Sequence, residues 1–189
     1  MIQAHASRRR LGLLSLLSLL ACTGAVRAQA RPDLLELQVK AAYLYNFSGF
    51  VEWPADAFDA ADDPLEIGVM EADALADQLV RTIAGRTVHG RPLAVRKLRR
   101  TDPPAELHLL FVGAMPKPQL ADVLSRGRHL HELLVTEAEG ALHKGSMINF
   151  VLAEERLRFE VAPKNAEQSG LTISARLLAA ALRVEGKAP

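Results

Sequence analysis

Between Leu65 and Thr136 short apolar runs alternate with amphipathic stretches, and this alternation leaves the chain few ways to fold. Leu65–Met70 (LEIGVM) reads as a strand. Asp73–Ala84 reads as a helix with Leu75, Leu79, Val80 and Ile83 facing inward. After the turn-rich Gly85–Pro92 segment, Leu93–Leu98 (LAVRKL) alternates as a half-buried strand does. Pro103 and Pro104 mark a loop, and Leu107–Val112 (LHLLFV) is apolar enough for a central strand buried on both faces. Gly113 and Pro116 lead into a helix over Lys117–Ser125, and Leu133–Thr136 (LLVT) forms the next strand. Strand, helix and strand in this rhythm require a largely parallel sheet with helices on both faces.

The flanks complete the layout. Asp33 is placed to cap a helix running to about Val51, with Leu34, Leu37, Ala41, Leu44, Tyr45 and Phe47 at three- and four-residue steps. Trp53-Pro54 ends that helix, because a residue before proline avoids the helical region. Ala55–Pro64 is acidic and loop-like. Ala138–His143 reads as a short helix or turn. Met147–Ala153 and Arg156–Val161 read as a hairpin turning at Glu154-Glu155. A short helix over Pro163–Ser169 stops at Gly170. Ser174 then caps a last helix, Ala175–Arg183, whose Leu177, Leu178, Ala181 and Leu182 face the core. The expected fold is α/β and three-layered: a mostly parallel central sheet flanked by helices, with a C-terminal antiparallel hairpin at one edge. The first and last helices are expected to pack together.

The amino end carries a basic cluster, Arg8, Arg9 and Arg10, then an apolar run from Leu11 to Cys22. This is the head and core of a signal peptide, and the run is short for a membrane-spanning helix. Val26-Arg27-Ala28 suits cleavage after Ala28, giving residues 29–189 as one domain; Leu19-Leu20-Ala21-Cys22 is the competing lipobox, with an unusual Leu at its second position. Removing residues 1–28 takes away four arginines and no acid. It leaves 19 basic against 22 acidic side chains, a net charge of −3. That balance argues against nucleic acid as a partner. The processed chain has no cysteine, so disulfides, thiol catalysis and thiolate metal sites are excluded.

Motifs of catalysis do not stand out. His129 and His131 would share one face of a strand, but His89, His108 and His143 add no metal-ligand spacing. Gly140–Ser146 (GALHKGS) has its lysine before the glycine and a strand after it, the wrong order for a phosphate loop. No serine lies in a nucleophile elbow. Aromatic residues are more telling: Tyr43, Tyr45, Phe47, Phe50 and Trp53 crowd one segment of a chain that is only 5% aromatic. Phe47 and Phe50 suit the core. Trp53, at a helix end between Glu52 and Pro54, suits partner contact. Asn46 and Asn149 are amides among apolar neighbours and would need hydrogen-bond partners if buried. Arg176 is placed to pair with Glu52 or Glu160.

Taken in order, Lys40–Pro54 (KAAYLYNFSGFVEWP), Gly145–Val151 (GSMINFV), Arg158–Ala162 (RFEVA) and Ser169–Leu178 (SGLTISARLL) form a set of blocks that resembles the YfiR/HmsC-like family of bacterial periplasmic regulators. Ile67-Gly68-Val69, Gly90–Val95, Leu110-Phe111-Val112 and Leu134-Val135-Thr136 extend the resemblance from about Leu37 to Val184. The resemblance implies an α/β domain, often dimeric, that is not an enzyme and needs no cofactor. It implies binding to the periplasmic sensor part of an inner-membrane diguanylate cyclase, held inactive, with cyclic di-GMP and biofilm formation rising on release. The family often has a cysteine before its central strand and further cysteines forming disulfides; here His108 takes the first region and Glu137–Lys144 has no thiol, so redox control does not carry over. Asn46, Glu52, Trp53, Met147, Asn149 and Arg176 are the partner- or ligand-binding candidates. The competing expectation is a small-ligand sensor serving another membrane signalling partner.

Overall fold

The computed structural model describes residues 34–102, 106–126 and 131–186. The signal peptide, Cys22, the Asp33 cap, Pro103, Pro104 and His129 lie outside the described residues.

Helix α1 (Leu34–Phe50) runs straight into a two-residue strand, β1 (Val51–Glu52), and Trp53-Pro54 turns the chain into a single 3₁₀ turn, Ala55–Ala57. The central units are β2 (Leu65–Met70), α2 (Asp73–Ile83), β3 (Thr87–Val88), β4 (Arg91–Leu98), β5 (Leu109–Val112), α3 (Lys117–Arg126) and β6 (Leu133–Thr136). The hairpin β7 (Ile148–Ala153) and β8 (Arg156–Val161) follows, then α4 (Pro163–Gln168), β9 (Thr172–Ile173), α5 (Ala175–Ala180) and β10 (Arg183–Val184).

The main sheet has the order β10-β8-β7-β6-β5-β2-β4-β3. Strands β4, β2, β5, β6 and β7 are mutually parallel; β3, at one edge, is antiparallel to β4, and β8 is antiparallel to β7. The fold is therefore α/β with a mostly parallel sheet and an antiparallel pair towards one edge. From β2 the chain steps through α2 to β4 on one side; from β5 it steps through α3 to β6 on the other. Right-handed crossovers in opposite directions put α2 and α3 on opposite faces. Every residue of β5 and β6 is buried, as strands covered on both faces require. Gly68 in β2 has no room for a side chain: a Cβ there would lie 2.5 Å from Leu107 Cδ1 and 2.8 Å from Leu98 Cδ1.

An aromatic cluster joins α1 to the hairpin. The Phe47 ring lies 5.0 Å from Phe159 and 5.7 Å from Phe150, and Tyr43 lies 5.4 Å from Phe159. Helix α1 packs chiefly along α2 and also touches α5; just beyond its C-terminal end Ser174 N–H donates to Phe50 O and Val51 pairs with Ile173. The last helix is thus a smaller neighbour of the first than its sequence suggests.

Three further expectations are corrected. Val80 is 51% exposed, and Ala76 takes the buried position on α2 instead. Helix α5 stops at Ala180, because the chain extends at Ala181 and Leu182 N–H donates to Phe159 O, starting β10; Leu182 is exposed rather than core. His131 precedes β6 in a left-handed conformation (φ 66°) and is not part of a strand. The Ser174 cap forms as expected, with its hydroxyl accepting from Leu177 N–H at 3.3 Å.

Candidate functional site

Trp53 sits half-buried at the end of β1, and its indole N–H points at two backbone carbonyls. Nε1 lies 2.9 Å from His131 O and 3.3 Å from His108 O. Those carbonyls precede β6 and β5, so the indole ties the chain after α1 to the amino ends of two central strands. His108 is fixed beside it. Its Nδ1 accepts from Glu66 N–H at 3.1 Å, which leaves Nε2 to donate to Ala57 O at 2.8 Å and makes the neutral ring the fitting form. Its ring stacks on Phe58 at 4.2 Å between centroids, and the Arg91 guanidinium lies 3.7 Å from the centre of the Phe58 ring. Burial holds the imidazole below its ordinary pKa, and the Arg91 charge adds to this. Around this frame Glu52, Trp53, Pro54, Val88, His89 and Arg91 line a shallow pocket of about 250 Å³.

The predicted residues divide between two environments. Glu52 and Trp53 share that pocket, and Glu52 is exposed beside it. Arg176 is exposed at the start of α5, 6.0 Å from the Phe50 ring; Glu160, one of its expected partners, instead holds Arg183 in a fork at 2.8 and 2.9 Å. Asn46 is exposed on α1, because Leu44, Phe47 and Ser48 take its buried face. Met147 and Asn149 are buried, so neither presents its side chain to a partner in this conformation. Asn149 Oδ1 accepts from Thr136 Oγ1 at 2.7 Å and from Ala138 N–H at 3.0 Å, and Ser146 Oγ lies 2.8 Å from Thr136 Oγ1. Asn165 Nδ2 extends the network by donating to Ser146 O at 2.7 Å and Leu142 O at 2.9 Å. This is the tying role open to a buried amide; it pins the loop between β6 and β7.

Sequence reasoning passed over a third feature. Lys40, on α1, is buried, pairs with Glu137 just beyond β6 and lies 2.5 Å from Glu36. The other oxygen of Glu137 accepts from Ala114 N–H at 2.9 Å, just after β5. Burial alone would lower the Lys40 pKa, but the two carboxylates outweigh it and the ammonium is held above its ordinary value. The trio closes one end of an open groove of about 580 Å³ between α1 and the β7–β8 hairpin, whose apolar lining includes Val39, Phe150, Leu152 and Leu157. The signal was a lysine on the same helical stripe as Leu44 and Phe47, where only a paired charge is tolerated.

Among the described residues no group of three or more histidines or acids is placed to hold a metal, and no helix is long and apolar enough to cross a membrane. The family model described as YfiR/HmsC-like matches residues 37–181, the greater part of the chain. The chain belongs to the YfiR/HmsC-like family. At the level of the family, membership supports a periplasmic regulator of cyclic di-GMP signalling, and it names no partner for this chain. No curated protein matches it.

Proposed function

We propose that this protein is an exported, non-enzymatic regulator that binds the periplasmic sensor part of an inner-membrane diguanylate cyclase and holds it inactive. The single observation carrying this reading is membership of the YfiR/HmsC-like family across residues 37–181. The sequence of residues 1–28, read as a signal peptide, supports export. The mechanism is stoichiometric: the regulator binds the inactive conformation of its partner better than the active one and shifts the population towards it. Glu52 and Trp53, in the shallow pocket at the end of β1, are its proposed partner-facing residues, with Arg176 on the adjoining α5.

The test is recovery of the processed protein from solubilised inner membranes, with identification of what accompanies it, alongside cyclic di-GMP levels in a deletion strain. Co-purification of a cyclase with a periplasmic domain, and a rise in cyclic di-GMP on deletion, are expected. Recovery of the protein alone, with cyclic di-GMP unchanged, overturns the reading.

The second reading is a small-ligand sensor. Its support is the groove between α1 and the hairpin, whose volume falls within the range of roughly 300–1,000 Å³ typical of ligand sites. A metabolite that raises the melting temperature in proportion to its occupancy would favour it.

A further inference from the structure

The outer edge of β8 is left half open. Its inner edge pairs with β7 along its whole length, from Ile148 opposite Val161 to Ala153 opposite Arg156. On the outer side β10 pairs only with Glu160 and Val161. Leu182 N–H donates to Phe159 O at 2.8 Å and Glu185 N–H to Val161 O at 2.7 Å, so the odd-numbered residues of β8 turn their backbone groups outward. Two residues back, Leu157 turns its N–H and carbonyl the same way, and among the described residues no strand lies against it. An open edge of this kind is a template for another strand.

Side chains along the edge select the occupant. Leu157 shares a face with Phe159 and stands opposite Leu152, which is 77% exposed. This apolar pair opens into the groove beside α1. Arg156 and Arg158 alternate with Leu157 along the strand, and Arg156 also stands at the rim of the groove. A second copy fits badly. Outward backbone groups must meet outward backbone groups, so antiparallel self-pairing centred on Leu157 sets Arg156 against Arg158, and the neighbouring permitted register sets Arg156 against itself. Like charges directly opposite each other destabilise a strand pair. The same two arginines attract carboxylates.

We infer that the open edge of β8 accepts an extended protein segment of alternating apolar and acidic residues, its backbone paired with Leu157, its apolar side chains beside Leu157, and its carboxylates on Arg156 and Arg158. This is strand addition, in which backbone bonds supply affinity and alternate side chains supply specificity. It deepens the regulatory reading and rests on it only for the class of partner, a protein; the experiment below uses no measure of cyclic di-GMP, so the two fail separately.

The test titrates the protein, purified as the cell processes it, with two capped eight-residue peptides, alternating Glu and Val or alternating Lys and Val. Amide exchange at Leu157 and labelled-peptide anisotropy are the readouts. The Glu/Val peptide is expected to slow exchange at Leu157 and to bind at least tenfold tighter than the Lys/Val peptide. The double variant Arg156→Glu, Arg158→Glu, shown by circular dichroism to be folded, is expected to reverse that preference. The proposal is overturned if neither peptide protects Leu157, if the double variant keeps the original preference, or if the protein alone dimerises with Leu157 protected.

Discussion

The indole N–H of Trp53 lies 2.9 Å from the backbone oxygen of His131, so the residue best suited by sequence to meet a partner is also a fastener of the fold. The same N–H reaches His108 O at 3.3 Å. Trp53→Phe keeps a ring and removes the donor from both carbonyls. Its cost is expected to be about 1 kcal/mol in urea unfolding, whereas Trp53→Ala also empties a half-buried site and should cost about 3 kcal/mol. Loss of the proposed repression in Trp53→Phe with the melting transition nearly intact would assign the indole to the partner; its retention would assign the indole to the fold alone.

Lys40 and Glu137 form a different kind of joint. Lys40→Met leaves the Glu137 carboxylate facing the groove with its backbone donor at Ala114 and no cation. Removing one member of a largely buried pair is expected to cost about 3 kcal/mol. Adding Glu137→Gln to Lys40→Met should recover part of that loss. Chemical denaturation of the two single variants and the double variant measures the coupling, and simple additivity would show that the pair contributes no energy of its own.

How far the fold was legible depended on where its information lies. Leu65–Met70 and Leu133–Thr136 end where their apolar runs end, because strands covered on both faces admit few polar residues. The end of α5 was not legible in the same way. Ala175–Arg183 has a helical composition, and what stops it is Leu182 N–H bonding to Phe159 O, a backbone contact with no side-chain signature. Within the candidate site, Glu52 and Trp53 were singled out because Pro54 fixed the helix end beside them. Asn149 stood both as an amide that would need hydrogen-bond partners if buried and as a binding candidate, because Ile148–Ala153 is apolar at nearly every position and its pattern does not tell which face is buried; the structure gives it the first role. Lys40 was missed because its partner, Glu137, lies 97 residues away in the chain.

The β7–β8 turn carries strain that can be relieved. Glu154 (φ 51°) and Glu155 (φ 58°) both adopt the left-handed conformation of a two-residue hairpin, where asparagine and glycine are favoured. Glu154→Asn with Glu155→Gly is expected to stabilise the protein by about 1–2 kcal/mol. A rise in the thermal midpoint of about 2–8 °C would register it. An unchanged or lower midpoint would show that the two glutamates compensate through contacts of their own.

His108 makes the fold sensitive to acid. Burial holds its pKa in the folded protein below the ordinary 6.5, and Nδ1 faces the N–H of Glu66, leaving no acceptor for a second proton. As pH falls through about 6.5 the unfolded chain takes up a proton that the folded chain resists, so stability declines until the folded pKa is passed. Each unit of difference between the two pKa values contributes about 1.4 kcal/mol. His108→Gln, which offers an acceptor and a donor without titrating, should flatten the stability profile between pH 7 and pH 5; a profile as steep as the wild type would place the titrating group elsewhere.

Glu132 does the opposite at higher pH. Its side chain is buried just before β6, Oε1 has no hydrogen-bond partner among the described residues, and burial pushes its pKa from 4.5 up to about 8. The folded state therefore keeps a proton that the unfolded state releases. The contribution of Glu132 to stability is complete below about pH 4.5, falls as pH rises above it, and levels off above about pH 8 with a total loss of at most about 5 kcal/mol. Glu132→Gln preserves the shape and cannot ionise. It should match the wild type near pH 4 and exceed it by several kcal/mol at pH 9. Urea unfolding of both proteins at those two pH values decides the matter: a variant that is no more stable at pH 9 than the wild type would mean that the carboxylate is charged and satisfied in the folded protein.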